Sequence, residues 1–399
     1  MEKSQDESMF GDTKDKTKVQ SWEEIMQAIC NNLDTNLSED KLGLVSQRED
    51  KTTEQVGEEV YNELLQQGLI EPNDNDLSPL VNKCKMHPLI RYTLISETKK
   101  AGFFYFKSKD KTSSEDLENL SSSRLCLIVD LAKDGDVHTV FNVNQQYLSL
   151  QHHSLSDMKK LVVLQLGRWQ HSPNYHIEVD DQKFLDDLGV HHKHLKFLSL
   201  QGISRIATLP DSIVELVSLE ILDLQACHNL EKLPEDIASL KKLTHLDVSE
   251  CYLIERMPKR TEKLSSLQVL KGVVIGTAWR SPCMISDFGK LTKLRRLSIY
   301  IGRGATIWDE EFASLKGIAS LCSPTISCGK LHIIGGEMIS WDHQQYNEQW
   351  SVEILRLKHL RRLRIGNNEN LLKRFPRLGY FEKINCADNI ILWYRSRAV

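Results

Sequence analysis

The sequence predicts an α/β fold: a solenoid shaped as a horseshoe, with a parallel β-sheet on its concave face, preceded by a small helical, winged-helix-like module. Three observations carry this expectation. Leu195, Leu219, Leu243 and Leu267 recur at intervals of 24 residues, and each opens the pattern L-x-x-L-x-[LV] or a degraded form of it. Residues 21 to 106 lack the repeat and show helical spacing instead. The composition allows such a fold: hydrophobic residues make up 40% and charged residues 27% of 399, too apolar a chain to remain disordered.

From the N-terminus, residues 1 to 20 are polar and read as a disordered tail, without the apolar stretch of a secretory signal. Ser21 with Glu24 forms a capping box for a helix through Ile25, Ile29 and Leu33. Val56, Val60 and Leu64 at i, i+4 and i+8 mark a second helix, which Gly68 can end in a left-handed conformation. Leu69-Ile70, a turn-rich stretch and then Val81 to Met86 spell a short hairpin, and Pro88 suits the first turn of a helix through Leu94. Residues 107 to 123, dense in Lys, Ser, Asp and Glu, read as a linker.

The repeats occupy 124 to 399. Their register is Leu195/Leu198/Leu200, Leu219/Leu222/Leu224, Leu243/Leu246/Val248 and Leu267/Leu270, with Leu294/Leu297/Ile299 after a longer unit and Leu161/Leu164/Leu166 upstream. Weaker units are expected at Cys328, Leu360 and Phe381. Two leucines separated by one residue point to the same side of a strand, and the residue between them faces water. Leu209-Pro210 with Ile213 and Leu216, and Leu233-Pro234 with Ile237 and Leu240, supply a return segment whose apolar face closes over the same core. One repeat cannot cover its own apolar face, so neighbours must stack. Cys227 and Cys251 occupy one place in successive repeats, where a side chain can bridge backbone groups inside the turn.

The chemistry of catalysis is hard to find. Lys and Arg total 51 against 55 Asp and Glu, for a formal charge of −4, which disfavours wholesale nucleic-acid binding. No G-x-x-x-x-G-K-[ST] run exists to cradle phosphates, and without one the acidic Lys183–Asp187 stretch reads as a loop or helix between repeats. His191, His192 and His194 lie close together but lack the cysteine and carboxylate spacing of a closed metal site, so they read as a solvated loop. Nine scattered cysteines without a C-x-x-C pair suit a reducing, cytosolic or nuclear setting, where the sequons at Asn36 and Asn119 are idle. No apolar run approaches the ~18 residues of a membrane span. The expectation is therefore no enzyme activity, no metal and no integral membrane segment.

Binding is the better prospect. Glu220, Asp223 and Asp247 fall on the water-facing side of the middle strands and Arg295, Arg296, Arg361, Arg362 and Arg364 on later ones, so the concave face is expected to run from acidic to basic, either to orient a protein partner or as merely solvated edges. Trp308, Trp341 and Trp350 lie in irregular insertions, as anchors for a partner or as plugs of the solenoid.

The form L-P-x-x-I-x-x-L-x-x-L-x-x-L-x-L, from Leu209 to Leu224 and from Leu233 to Val248, is similar to the repeats of plant intracellular immune receptors. Val60-Tyr61-Asn62-Glu63-Leu64-Leu65, Gly68-Leu69-Ile70 and Cys84-Lys85-Met86-His87 before Leu89-Ile90-Arg91 resemble the winged-helix end of their nucleotide-binding region. The chain thus resembles the nucleotide-binding leucine-rich-repeat disease-resistance family, coiled-coil class, in a truncated form without the phosphate-binding core. The resemblance implies plant defence exercised by protein-protein recognition of a pathogen effector, a host guard protein or a full-length receptor, in the cytoplasm, with contact to the plasma membrane only through partners. It also implies that Met86 and His87 match a nucleotide-sensing Met-His-Asp motif whose third position is here Pro88. No resident cofactor follows, and ADP enters only if a phosphate-binding domain is supplied in trans. The other readings are a generic intracellular interaction scaffold and a residual ADP-binding fragment.

Overall fold

The computed structural model describes residues 53–72, 84–90, 92–93, 96, 105–107, 124–127, 137–142, 146–148, 150, 155–168, 176–275, 283–301, 315, 318–328, 352, 354–358, 377–378, 380–384 and 393–394. The helix expected after Ser21, the three insertion tryptophans and Arg361, Arg362 and Arg364 lie outside the described residues. The chain divides into two compact units, one of Met1–Asp76 with Val81–Glu97 and one of Leu77–Leu80 with Thr98–Val399.

In the first unit, helix α1 (Thr53–Gln66) ends as the sequence predicts. Gly68 adopts φ +69°, its N–H donates to Leu65 O at 3.0 Å, and the Leu69 N–H reaches Leu64 O at 2.9 Å. This pair of bonds satisfies two carbonyls that the helix end leaves open, and it delivers Leu69 and Ile70 into buried positions. Strands β1 (Glu71–Pro72) and β2 (Cys84–Lys85) then pair antiparallel, followed by helical residues at 88–90 and 92–93.

The second unit is a leucine-rich-repeat solenoid. Among the described residues its main sheet has 13 strands. They are β3 (Tyr105–Lys107), β4 (Arg124–Leu127), β5 (Thr139–Asn142), β7 (Val163–Gln165), β9 (Phe197–Ser199), β10 (Ile221–Asp223), β11 (His245–Asp247), β12 (Val269–Ile275), β13 (Arg296–Ile301), β14 (Ser323–Cys328), β15 (Ile354–Lys358), β16 (Tyr380–Ile384) and β17 (Trp393–Tyr394). They stack in sequence order and parallel, except that β17 runs antiparallel to β16. Between them, β6 (Tyr147–Leu148) and β8 (Glu178–Val179) form a separate parallel pair.

Each inward leucine of the 24-residue units, from Leu195 to Leu270, is fully buried, and the register sets Leu198, Leu222, Leu246 and Leu270 side by side. The return segments are 3₁₀ helices, Asp211–Glu215, Ile237–Ser239 and Thr261–Lys263. A 3₁₀ helix climbs about 2.0 Å per residue against 1.5 Å for an α-helix, so it spans the repeat with fewer residues. The unit from Leu161 to Leu195 is longer and holds a true helix, α2 (Phe184–His191), over the stretch that the sequence leaves as loop or helix. Gly189 lets α2 approach the next repeat so closely that a Cβ there would overlap the Ser212 backbone.

Three expectations need correction. The sheet already contains β3 at Tyr105–Lys107, ahead of the segment read as a linker, because the sequence shows no leucine pattern there to reveal it. The late repeats also sit in another register. Leu297 pairs with Pro324, Ile326 with Leu357 and Leu355 with Phe381, so the buried series is Leu321/Pro324, Val352/Leu355 and Leu378/Phe381. Cys328 therefore ends a strand, and Leu360 follows one. Finally, His192 is fully buried rather than part of a solvated loop: its Nε2–H donates to Leu155 O at 2.9 Å, and burial pushes its pKa down. His191 and His194 are exposed.

Candidate functional site

Two rows of side chains cross the strands on the sheet face opposite the leucine core. The first runs Phe197, Ile221, His245, Val269, Arg296 and the second Gln165, Ser199, Asp223, Asp247, Lys271, each residue in register with the next. Alternation along a strand forces this arrangement, since the residues flanking an inward leucine must both point outward. All but Val269, Ser199 and Gln165 are partly exposed.

In the second row, Asp223 and Asp247 stand on adjacent strands. Ser199 Oγ–H donates to Asp223 Oδ2 at 2.8 Å and the Gln225 N–H to Asp223 Oδ1 at 3.1 Å. The Ser249 N–H donates to Asp247 Oδ1 at 2.9 Å, and Lys271 Nζ sits 3.0 Å from Asp247 Oδ2. Burial first, and the charge of Asp247 as well, push the Asp223 carboxyl above its ordinary range, while the Gln225 and Ser199 donors oppose them.

In the first row, Thr244 Oγ1 spends its proton on Glu220 O at 2.9 Å, so the contact of 2.8 Å between Thr244 Oγ1 and His245 Nδ1 must be donated by the ring. That fixes the Nδ1–H tautomer and leaves Nε2 as a lone-pair acceptor. Burial, then Lys271 and Arg296, hold the His245 pKa down at about 4, so the ring is neutral under ordinary conditions.

Of the residues that the sequence singled out, the structure therefore brings Asp223, Asp247 and Arg296 onto one face. Glu220 and Arg295 lie one residue ahead of their strands. Glu220 is already occupied by Lys196, whose Nζ is 3.7 Å from Oε1. His245 and Lys271 were missed, although each occupies the same repeat position as a residue that was found. Arg356 was missed too because the register of the late repeats was wrong; it pairs with Glu382 at 3.1 Å and lies 5.4 Å from the centre of the Tyr380 ring.

The paired cysteines behave as spacing implied. Cys227 Sγ–H donates to Leu200 O at 3.1 Å and Cys251 Sγ–H to Leu224 O at 3.0 Å, each tying a turn to the previous strand. Burial pushes the Cys227 thiol up to about 12, so it stays a protonated donor. Cys322, just ahead of β14, instead repeats the Thr244 contact, its Sγ–H donating to Arg295 O ahead of the previous strand at 3.3 Å.

In the first unit, Met86 and His87 are exposed. The Leu89 N–H donates to His87 Nδ1 at 3.2 Å, which makes the imidazole a local cap for the helical turn after Pro88. Among the described residues, no three His, Cys, Asp or Glu side chains converge as metal ligands, and no helix is long and apolar enough to cross a membrane.

A family profile described as a leucine-rich repeat region matches residues 137–381, and one described as the winged helix domain of disease resistance proteins matches 41–92. The chain is 28% identical over 292 residues to "Disease resistance RPP13-like protein 4" of Arabidopsis thaliana, covering 72% of this chain and 32% of that protein. It thus spans about a third of the length of the curated relative it matches. Among solved structures, the ectodomain of the Arabidopsis receptor kinase HAESA is similar at 18% identity and a TM-score of 0.41, over 62% of this chain and 39% of that one. The ectodomain of the Arabidopsis receptor kinase GASSHO1 is similar at 16% identity and a TM-score of 0.37, over 69% and 40%.

Proposed function

The chain belongs to the leucine-rich-repeat family, in the disease-resistance group that sets a winged helix ahead of its repeats, and on that premise we propose that it serves plant defence by gripping a protein partner on the open face of its sheet. The partner is a pathogen effector, a host guard protein or a full-length receptor of the same family, met in the cytoplasm. The role is recognition without catalysis. One observation supports this most: a rigid row of registered side chains, Asp223, Asp247 and Lys271 beside His245 and Arg296, fixed from behind by fully buried leucines. Such preorganised charge favours oriented docking, since little side-chain freedom is lost on binding.

Met86 and His87 are proposed as the remnant of a nucleotide sensor and not as a binding site in their own right. The chain needs no resident cofactor, and ADP contact at His87 requires a phosphate-binding domain from another molecule. Titration with labelled ADP tests this, and saturable binding by the chain alone would support the rival reading of a residual ADP-binding fragment.

The main proposal is tested by expressing the chain in leaf tissue, alone and with candidate receptors, and following cell death and resistance. Altered defence with wild type, lost on Asp223→Arg with Arg296→Glu, is the expected result. A chain that recovers a partner yet leaves defence unchanged would be a general interaction scaffold.

A further inference from the structure

Charge on the open face is unevenly settled. Asp247 and Lys271 neutralise each other at the end of the second row. On either side of them stands one charge with no ion pair of its own among the described residues; Lys271, whose charge also reaches Asp223, is spent on Asp247. Asp223 accepts from Ser199 and the Gln225 N–H, but among the described residues no Lys or Arg lies within ion-pairing distance of it. Arg296, half-buried on β13, likewise has no ion pair with a carboxylate among the described residues, and the charges of Arg295 and Arg356, both cations, act against its own. The other charges of the face are taken: Glu220 by Lys196, and Arg356 by Glu382.

Between the two lie Ile221, His245 and Val269 of the first row, an apolar strip interrupted only by a neutral imidazole with Nε2 as acceptor. Asp223 and Arg296 are three strands apart and two residues apart along the strand direction. With about 4.8 Å between strands and about 3.3 Å per residue, their separation is about 16 Å. An extended segment covers that span in about five residues at the same rise per residue.

We propose that the occupant of this face is an extended segment of a partner protein carrying a basic and an acidic side chain four to six residues apart, with an apolar residue between them. The basic group meets Asp223, the acidic group meets Arg296, and the apolar side chain lies on half-buried Ile221, next to the buried Val269. A donor on the segment meets His245 Nε2. A uniformly acidic or uniformly basic segment is rejected, since one end would always face a like charge. This inference rests on the protein-recognition reading and specifies its chemistry.

The test is selection from a displayed library of random 12-residue peptides on the immobilised full chain, with circular dichroism as the folding control for every variant. Wild type is expected to enrich peptides with a basic and an acidic residue at that spacing around an apolar one. Asp223→Asn should remove the preference for the basic residue alone, and Arg296→Gln the preference for the acidic residue alone. Asp223→Glu and Arg296→Lys should keep both. Individual enriched peptides should bind each neutralised variant about tenfold more weakly.

Enrichment without the charge pair, enrichment that both neutralised variants leave unchanged, or no enrichment would overturn the proposal. So would a dimer of the chain that dissociates in these variants, because the face would then be filled by a second copy. Recovery of a protein partner whose binding ignores Asp223 and Arg296 would overturn this inference and leave the recognition reading standing.

Discussion

Leu222 offers the sharpest perturbation of the solenoid. It is 0% exposed, and the register places it between Leu198 and Leu246, themselves fully buried. Truncating a buried leucine to alanine costs roughly 2–5 kcal/mol, the larger values belonging to sites that cannot collapse. Here the ladders on both sides hold the neighbouring strands at fixed spacing, so the void should persist and Leu222→Ala should cost about 3–5 kcal/mol. Leu222→Asp goes further and unfolds the surrounding repeats, because it adds a buried charge without a counter-ion. Val217, in the same repeat, is 56% exposed, and Val217→Asp should stay within about 0.5 kcal/mol of wild type. Denaturant unfolding of the full chain followed by circular dichroism measures all three. Because repeats couple chiefly to their neighbours, hydrogen exchange should localise the loss to the strands around β10. Equal midpoints for Leu222→Ala and wild type, or equal damage from Val217→Asp, would refute the placement of these residues.

Three other outcomes follow from particular contacts. Cys227→Ala removes the thiol donor from Leu200 O, which keeps the Ile203 N–H at 3.0 Å, and should cost about 0.5–1.5 kcal/mol, whereas Cys227→Ser, which can still donate, should cost less in the same unfolding assay. Exposed Glu250 is held at φ +64°, two repeats after Gly202 at +72°, so Glu250→Gly should raise the melting temperature, the relieved left-handed strain of about 1–2 kcal/mol exceeding the entropic cost of glycine. His245, whose folded pKa of about 4 lies below the ordinary histidine value of 6.5, binds a proton more readily in the unfolded chain, so its contribution is complete above pH 6.5 and is lost as pH falls from there toward 4. Lys271 and Arg296 face it from the strands beyond, and Asp223, pushed in the opposite direction, opposes part of the trend at the acid end. His245→Gln should therefore flatten the stability profile over that window by up to about 1.4 kcal/mol per pH unit, read from melting curves at half-unit intervals.

The middle of the solenoid was legible because its periodicity is unbroken. A spacing of 24 with leucine at the inward positions, Val248 apart, leaves no rival assignment for Leu195 through Leu270, and it also located Asp223, Asp247, Cys227 and Cys251. Legibility failed where the period did. At β12, Lys271 and Gly272 both oppose Ser298, and Gly272 takes φ +77° where a Cβ would press on the Val248–Ser249 backbone. This bulge ends the regular spacing. Beyond it Pro324 stands where a leucine is expected, so pattern matching settled on Cys328 and Leu360 instead and hid Arg356. The first strand was missed because Tyr105–Lys107 carries no leucine. His192 was misread because proximity to other histidines says nothing about burial, and only the long-range bond to Leu155 O reveals its structural role.

The account turns on one claim, that the sheet face bearing Asp223 and Arg296 is where a protein partner docks. Photo-crosslinking in leaf tissue tests it directly, with the reactive residue at Ile221 on that face or at Val217 away from it. A discrete adduct from position 221, absent from 217 and abolished by Asp223→Arg with Arg296→Glu, is the predicted result. An adduct from position 217 with none from 221 would contradict the account.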